Sequence, residues 1–140
     1  MHSKTQRSVL RGYRNLRYWT VTEIAVDDKR YELTAVQREG VWVARATDAA
    51  SGDPFGIECT GATESEAIAR LTRWLQWQHE HAAALRALQQ AERAYHRTIA
   101  GSAFASPTEG PSAVEMQKES LAEVEAARVR LDELRASKPE

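Results

Sequence analysis

One cysteine, Cys59, stands in the 140 residues, and that scarcity excludes an internal disulfide and any zinc site built from cysteine pairs. Long apolar runs are missing too. None approaches the roughly 20 residues that a bilayer span requires, and the opening MHSKTQRSVLRGYRNL lacks the continuous apolar stretch of a secretory signal. The expectation is a cytoplasmic protein with no membrane contact. Glycine-rich phosphate loops, a GxSxG elbow and paired-carboxylate patterns are absent as well, so no catalytic residue and no cofactor is expected, and the chain does not read as an enzyme.

What is present suits a soluble globular domain: 42% hydrophobic and 28% charged residues give apolar material for a modest core without the charge excess of a disordered chain. The formal charge of −1 conceals an asymmetry. Residues 1–22 carry Lys4, Arg7, Arg11, Arg14 and Arg17 with no acid, giving +5, which leaves −6 for the remaining 118 residues. A basic N-terminal arm, residues 1–18, precedes an acidic body.

From Trp19 to Val26 and from Tyr31 to Gln37 the chain is rich in β-branched and aromatic residues, with Asp27, Asp28 and Lys29 between them as a hairpin turn. Glu39-Gly40 supplies the next turn. Val41 to Thr47 then alternates Trp42, Ala44 and Ala46 against Val41, Val43 and Arg45, as a strand with one buried face does. DAASGDP, residues 48–54, is a loop in which Asp48, Ser51 and Asp53 offer side-chain turns. Phe55, Ile57 and Cys59 alternate with Gly56, Glu58 and Thr60 in a last short strand, for three or four antiparallel strands in all.

At Gly61 the period becomes helical. Thr63 followed by Glu66 fits a capping box, and Glu64 and Glu66 sit where a helix N-terminus favours acids. Neither proline nor glycine occurs between Glu64 and Ala100, so nothing stops the helix over a length exceeding the width of a small domain. Ala67, Ile68, Leu71, Leu75 and Ala82 form one stripe. Trp74, Trp77, His81, Leu85, Leu88, Tyr95 and Ile99 form another about a quarter turn away. After GSAFASPTEGP, Ser112 and Glu115 repeat the capping-box spacing and open a second helix to about Ala136. Its Met116, Leu121, Val124, Ala127, Leu131 and Leu134 make one narrow stripe, as in one side of a coiled-coil hairpin. Gln78, Glu92 and Arg128 interrupt these faces.

His79 and His81 lie two apart, about 200° around a helix, and cannot chelate one ion together; a shared site needs a spacing of three or four. No metal site is expected, and His81 reads as a half-buried seam residue. Trp74 and Trp77 read as packing before platform, and Cys59 as a small buried hydrophobe.

The strands at 31–38 and 41–47, the Gly/Asp/Pro loop and GATESEAIARLTRWL together resemble HicB-like antitoxin domains. Gly61, Thr63, Glu66 and Ala67 stand at the positions of that family's G-x-T-x-x-EA helix start. The resemblance spans residues 31–75 and implies an αβ interaction module that blocks a partner's active site; the long helical hairpin departs from the family pattern. The strand order is also similar to the double-stranded RNA-binding fold, but Thr63, Glu64, Ser65 and Glu66 stand where that family puts lysines, and they would repel phosphate.

The reading is therefore α+β: a small three- to four-stranded antiparallel sheet on a long helix in residues 19–82, then a helical hairpin in 83–140. Its function is non-catalytic protein association, as an adaptor, antitoxin-like or assembly subunit, with a protein partner or a second copy as a dimer. Trp77, His81, Leu85, Leu88, Tyr95, Leu121, Val124 and Leu131 are the expected contact residues. The alternative is phosphate binding to nucleic acid by Arg7, Arg11, Arg14 and Arg17, of which Arg11, Arg14 and Arg17 recur every three residues, as along one side of a helix or turn.

Overall fold

The structure is a computed structural model that describes residues 5–11, 17–102 and 112–140, with side chains from Val21 to Gly101 and from Ser112 onward. Five strands, β1 (Thr5–Arg11), β2 (Arg17–Val26), β3 (Lys29–Arg38), β4 (Val41–Asp48) and β5 (Pro54–Gly61), precede the helices α1 (Glu64–Ser102) and α2 (Ala113–Ala136). The chain is α+β, as its change of period predicts. It divides into two compact units, one built on Met1–His79 and one on Glu80–Lys138, with the boundary inside α1.

In the first unit the strands form an antiparallel meander in the order β1-β2-β3-β4-β5. β2 to β5 are the four strands legible in the sequence, and β1 adds a fifth. The basic N-terminal segment is thus a strand in part, Thr5–Arg11. Thr5 to Arg11 pair with Arg17 to Glu23, and this satisfies a β2 edge that would otherwise present unpaired N–H and C=O groups.

Turn chemistry sets the register. Asp27 and Asp28 lie between the closing pair Val26↔Lys29, with Asp27 at φ 55°. Glu39 (φ 50°) and Gly40 (φ 81°) lie between Arg38↔Val41, the two positive φ values that a type I′ turn demands. In the 48–54 loop the Asp48 carboxylate accepts from the amides of Ala50 (2.8 Å) and Ser51 (3.3 Å). These two bonds hold the Asp48 carboxyl below its ordinary value.

Alternation then sorts the faces. Thr22, Ile24 and Val26 on β2, Tyr31, Leu33 and Ala35 on β3, Ala44 and Ala46 on β4 and Cys59 on β5 are buried, while Glu32, Arg45 and Glu58 on the other face are exposed. Ala67, Ile68, Leu71 and Leu75 of α1 complete this core, with Trp42, Phe55, Ile57 and Trp74 packed against it. Trp74 therefore belongs with the sheet-covering stripe of α1, not the second one. Thr22 is the exception within the core: it is 2% exposed, and its Oγ1 has no hydrogen-bond partner among the described residues.

The step from β5 into α1 is tightly built. Glu66 N donates to Thr63 Oγ1 (3.1 Å), and Ala62 N donates to Glu66 Oε2 (3.3 Å), both halves of a capping box. Gly61 is buried, and a Cβ there would lie 2.6 Å from Ala67 N. Gly61, Thr63, Glu66 and Ala67 each have a local role in starting the helix.

Candidate interaction surface

The second unit is a helical hairpin with a thin core. Ala84, Leu131 and Leu134 are buried together, with Leu85 and Leu88 half-buried against them. Arg128 Nη2 approaches Glu92 Oε2 at 3.9 Å, so two of the charged residues that interrupt the apolar stripes face each other. Residues 84–88 meet 131–134 and Glu92 meets Arg128, so the contacts run in opposite order along the two helices, as in an antiparallel pair. Ser112 caps α2, its side chain accepting from Glu115 N at 3.4 Å, which keeps the start of the helix where the sequence puts it.

The expected contact residues divide by burial. Val124 and Leu131 are 3% exposed, so they belong to the interior of the unit. Trp77, His81, Leu85, Leu88 and Tyr95 are half-buried. Leu121 does not share the buried stripe of α2: it is 40% exposed, and Met116 is 54% exposed. The reason is angular, because Leu121 lies about 60° from Val124 on the wheel, far enough to leave the contact line of a thin hairpin.

Val114 (56%) and Val129 (56%) join Leu121 and Met116 as exposed apolar side chains on α2, and Ile99 (42%) adds one on α1. Among the described residues the one other large hydrophobic exposed to this degree is Val41, at 43%. Surface apolar groups are ordinary when scattered singly; these five sit on one small unit.

In the sheet unit, Tyr31 Oη lies 2.8 Å from His79 Nε2, and His79 Nδ1 lies 3.8 Å from Asp27 Oδ2. Neither the pairing nor the Tyr31–Phe55 edge contact was readable from sequence, because β3 and the middle of α1 are 48 residues apart. Burial pushes the Tyr31 phenol above its ordinary value, helped by the Asp48 and Asp28 carboxylates. Which of Tyr31 Oη and His79 Nε2 donates is set by the imidazole tautomer. Tyr31 is only 7% exposed, and its bond to His79 ties β3 to α1.

Cys59 is likewise structural, since burial pushes its thiol up, only partly offset by Arg70 and Arg73, and a neutral thiol is a poor nucleophile. A cleft of about 220 Å³ where β4 and β5 slip register is lined by Arg45, Ala46, Pro54, Gly56, Ile57 and Glu58. Its two charged groups neutralise each other, Arg45 Nε to Glu58 Oε1 at 2.7 Å. Among the described residues no group of three or more His, Cys, Asp or Glu could hold a metal ion. No described helix is long and apolar enough to cross a membrane.

Arg7 and Arg11 lie in β1 and Arg17 opens β2, with Arg11 and Arg17 opposite each other in register; Arg14 lies outside the described residues. Comparison of the chain with family models, curated proteins and solved structures finds no match.

Proposed function

We propose that the protein is a non-catalytic association module that works through its helical hairpin, as an adaptor, antitoxin-like or assembly subunit. One observation carries the reading: five of the six large apolar side chains exposed among the described residues, Ile99, Val114, Met116, Leu121 and Val129, lie on the hairpin. The hairpin's own core of Ala84, Leu131 and Leu134 leaves them in water, and apolar side chains gathered on one small unit are what a partner protein would cover.

The test is affinity capture of the full chain from its native cells beside a Leu121→Glu, Val129→Glu double variant. Both positions are exposed, so the fold is retained, as a matched circular dichroism spectrum would verify. The native chain should hold a stoichiometric companion, a second copy or another protein, which the variant loses. The same companion retained by both chains would refute the hairpin as the contact surface.

A further inference from the structure

The buried residues of α2, Val124, Leu131 and Leu134, define the side that packs within the hairpin. Val114, Leu121 and Val129, between 40% and 56% exposed, lie away from it, within an arc of about 80° at 100° per residue. Lys118, Glu125 and Asp132 share this arc, and all three are exposed. The outward row of α2 therefore reads Val114, Lys118, Leu121, Glu125, Val129, Asp132, Ala136.

That row is complementary to itself when reversed about Glu125. Leu121 then meets Val129, Lys118 meets Asp132 and Val114 meets Ala136. The flanks are opposite in sign: residues 113–124 are net −2, with Glu115, Glu119 and Glu123 against Lys118, and their reversed counterpart 126–137 is net +1, with Arg128, Arg130 and Arg135 against Asp132 and Glu133. A parallel alignment would set like charge on like along the whole helix and is disfavoured. The antiparallel one sets acid on base. A two-fold contact needs this property, a surface that matches its own reversed copy.

We infer that a second copy of the chain docks antiparallel on the outward face of α2, with the two-fold axis at Glu125, so that Leu121 packs on the partner's Val129 and Lys118 pairs with the partner's Asp132. The inference rests on the association reading and names its occupant. Glu125 meets its own copy on the axis, and this like-charge contact holds the dimer weak and concentration-dependent.

Sedimentation equilibrium of the full chain across a concentration series tests it. The native chain should dimerise reversibly, and Leu121→Glu should remove the dimer. Lys118→Glu turns two attractions into two repulsions and should weaken the dimer about tenfold. The double exchange Lys118→Glu, Asp132→Lys should restore native affinity, because the pairs are rebuilt with signs reversed. Glu125→Gln should tighten the dimer severalfold. A chain that stays monomeric while still retaining a different protein on affinity capture overturns the second copy and leaves the association reading standing. A dimer indifferent to Leu121→Glu and to the charge exchange overturns this face. A monomer that captures nothing removes both.

Discussion

Gly61→Ala offers a sharp quantitative check on how the sheet hands over to the helix. The added methyl would sit 2.6 Å from Ala67 N, and 3.0 Å from both Glu66 Cβ and Thr63 O. Ordinary carbon contacts lie at about 3.5–4.0 Å, so the group intrudes by half an ångström to about one ångström. Two of the three atoms are backbone within the first turn of α1, where the Thr63–Glu66 capping bonds fix them, and neither can move without disturbing the cap. Overpacking a tight site costs about 1–3 kcal/mol, and partial loss of the cap adds about 1 kcal/mol. Together these give roughly 2–4 kcal/mol, enough to lower the melting midpoint by several degrees. Trp42 and Trp74, packed on this core, report the transition by fluorescence. Gly101→Ala is the matched control: it also lies in α1, a Cβ there meets nothing within 4 Å, and alanine should stabilise by about 0.5–1 kcal/mol. A Gly61→Ala protein as stable as the native one would refute the steric account of the helix start.

Other expectations follow from single groups. Thr63→Ala removes one half of the capping box and should cost about 1 kcal/mol; an unchanged midpoint would place the functional helix start elsewhere. Thr22→Val replaces a buried hydroxyl without a partner among the described residues by a methyl of similar shape and should raise stability by about 1 kcal/mol in urea unfolding, with a loss pointing to a bond that Thr22 makes after all. Tyr31→Phe deletes the bond to His79 at a cost of about 0.5–1.5 kcal/mol at neutral pH. Because the native phenol titrates above the ordinary 10.0, its contribution is fully present below pH 10 and is lost as pH rises through the folded value, since the unfolded chain releases that proton first. Melting curves above pH 10 should therefore fall for the native chain more than for Tyr31→Phe, and parallel curves would remove the tie from the account.

Local chemistry was the legible part of this fold. Glu39-Gly40 needs positive φ at both positions and forms the turn it suggests; Asp48 and Ser51 make the side-chain turns of the 48–54 loop; Thr63 and Ser112 cap where their spacing to Glu66 and Glu115 puts them. Each of these is decided within four or five residues. β1 was not legible because Arg7 and Arg11 suggest a solvated arm, whereas what makes Thr5–Arg11 a strand is the free edge of β2, a property of the assembled sheet. Tyr31 and His79 escaped for the same reason: their bond exists only once α1 lies on the sheet.

The hairpin shows where periodicity itself runs out. Counting apolar residues at three- and four-residue steps merges Leu121 with Val124 and Leu131 into one stripe, since each interval is permitted on a helix. Burial separates them, with Val124 and Leu131 at 3% and Leu121 at 40%. Of the large apolar residues of α2, Val124, Leu131 and Leu134 are buried within the unit, Val114, Leu121 and Val129 are exposed on another side, and Met116, in line with Leu134 but in the first turn, is exposed too. A helix with one neighbour gathers its apolar residues on one face, because each apolar group left in water forgoes about 25 cal/mol per Å² of burial. A helix with two neighbours divides them. The division on α2, with charges on the outward side that match their own reversed order, is what the proposed antiparallel second copy would account for.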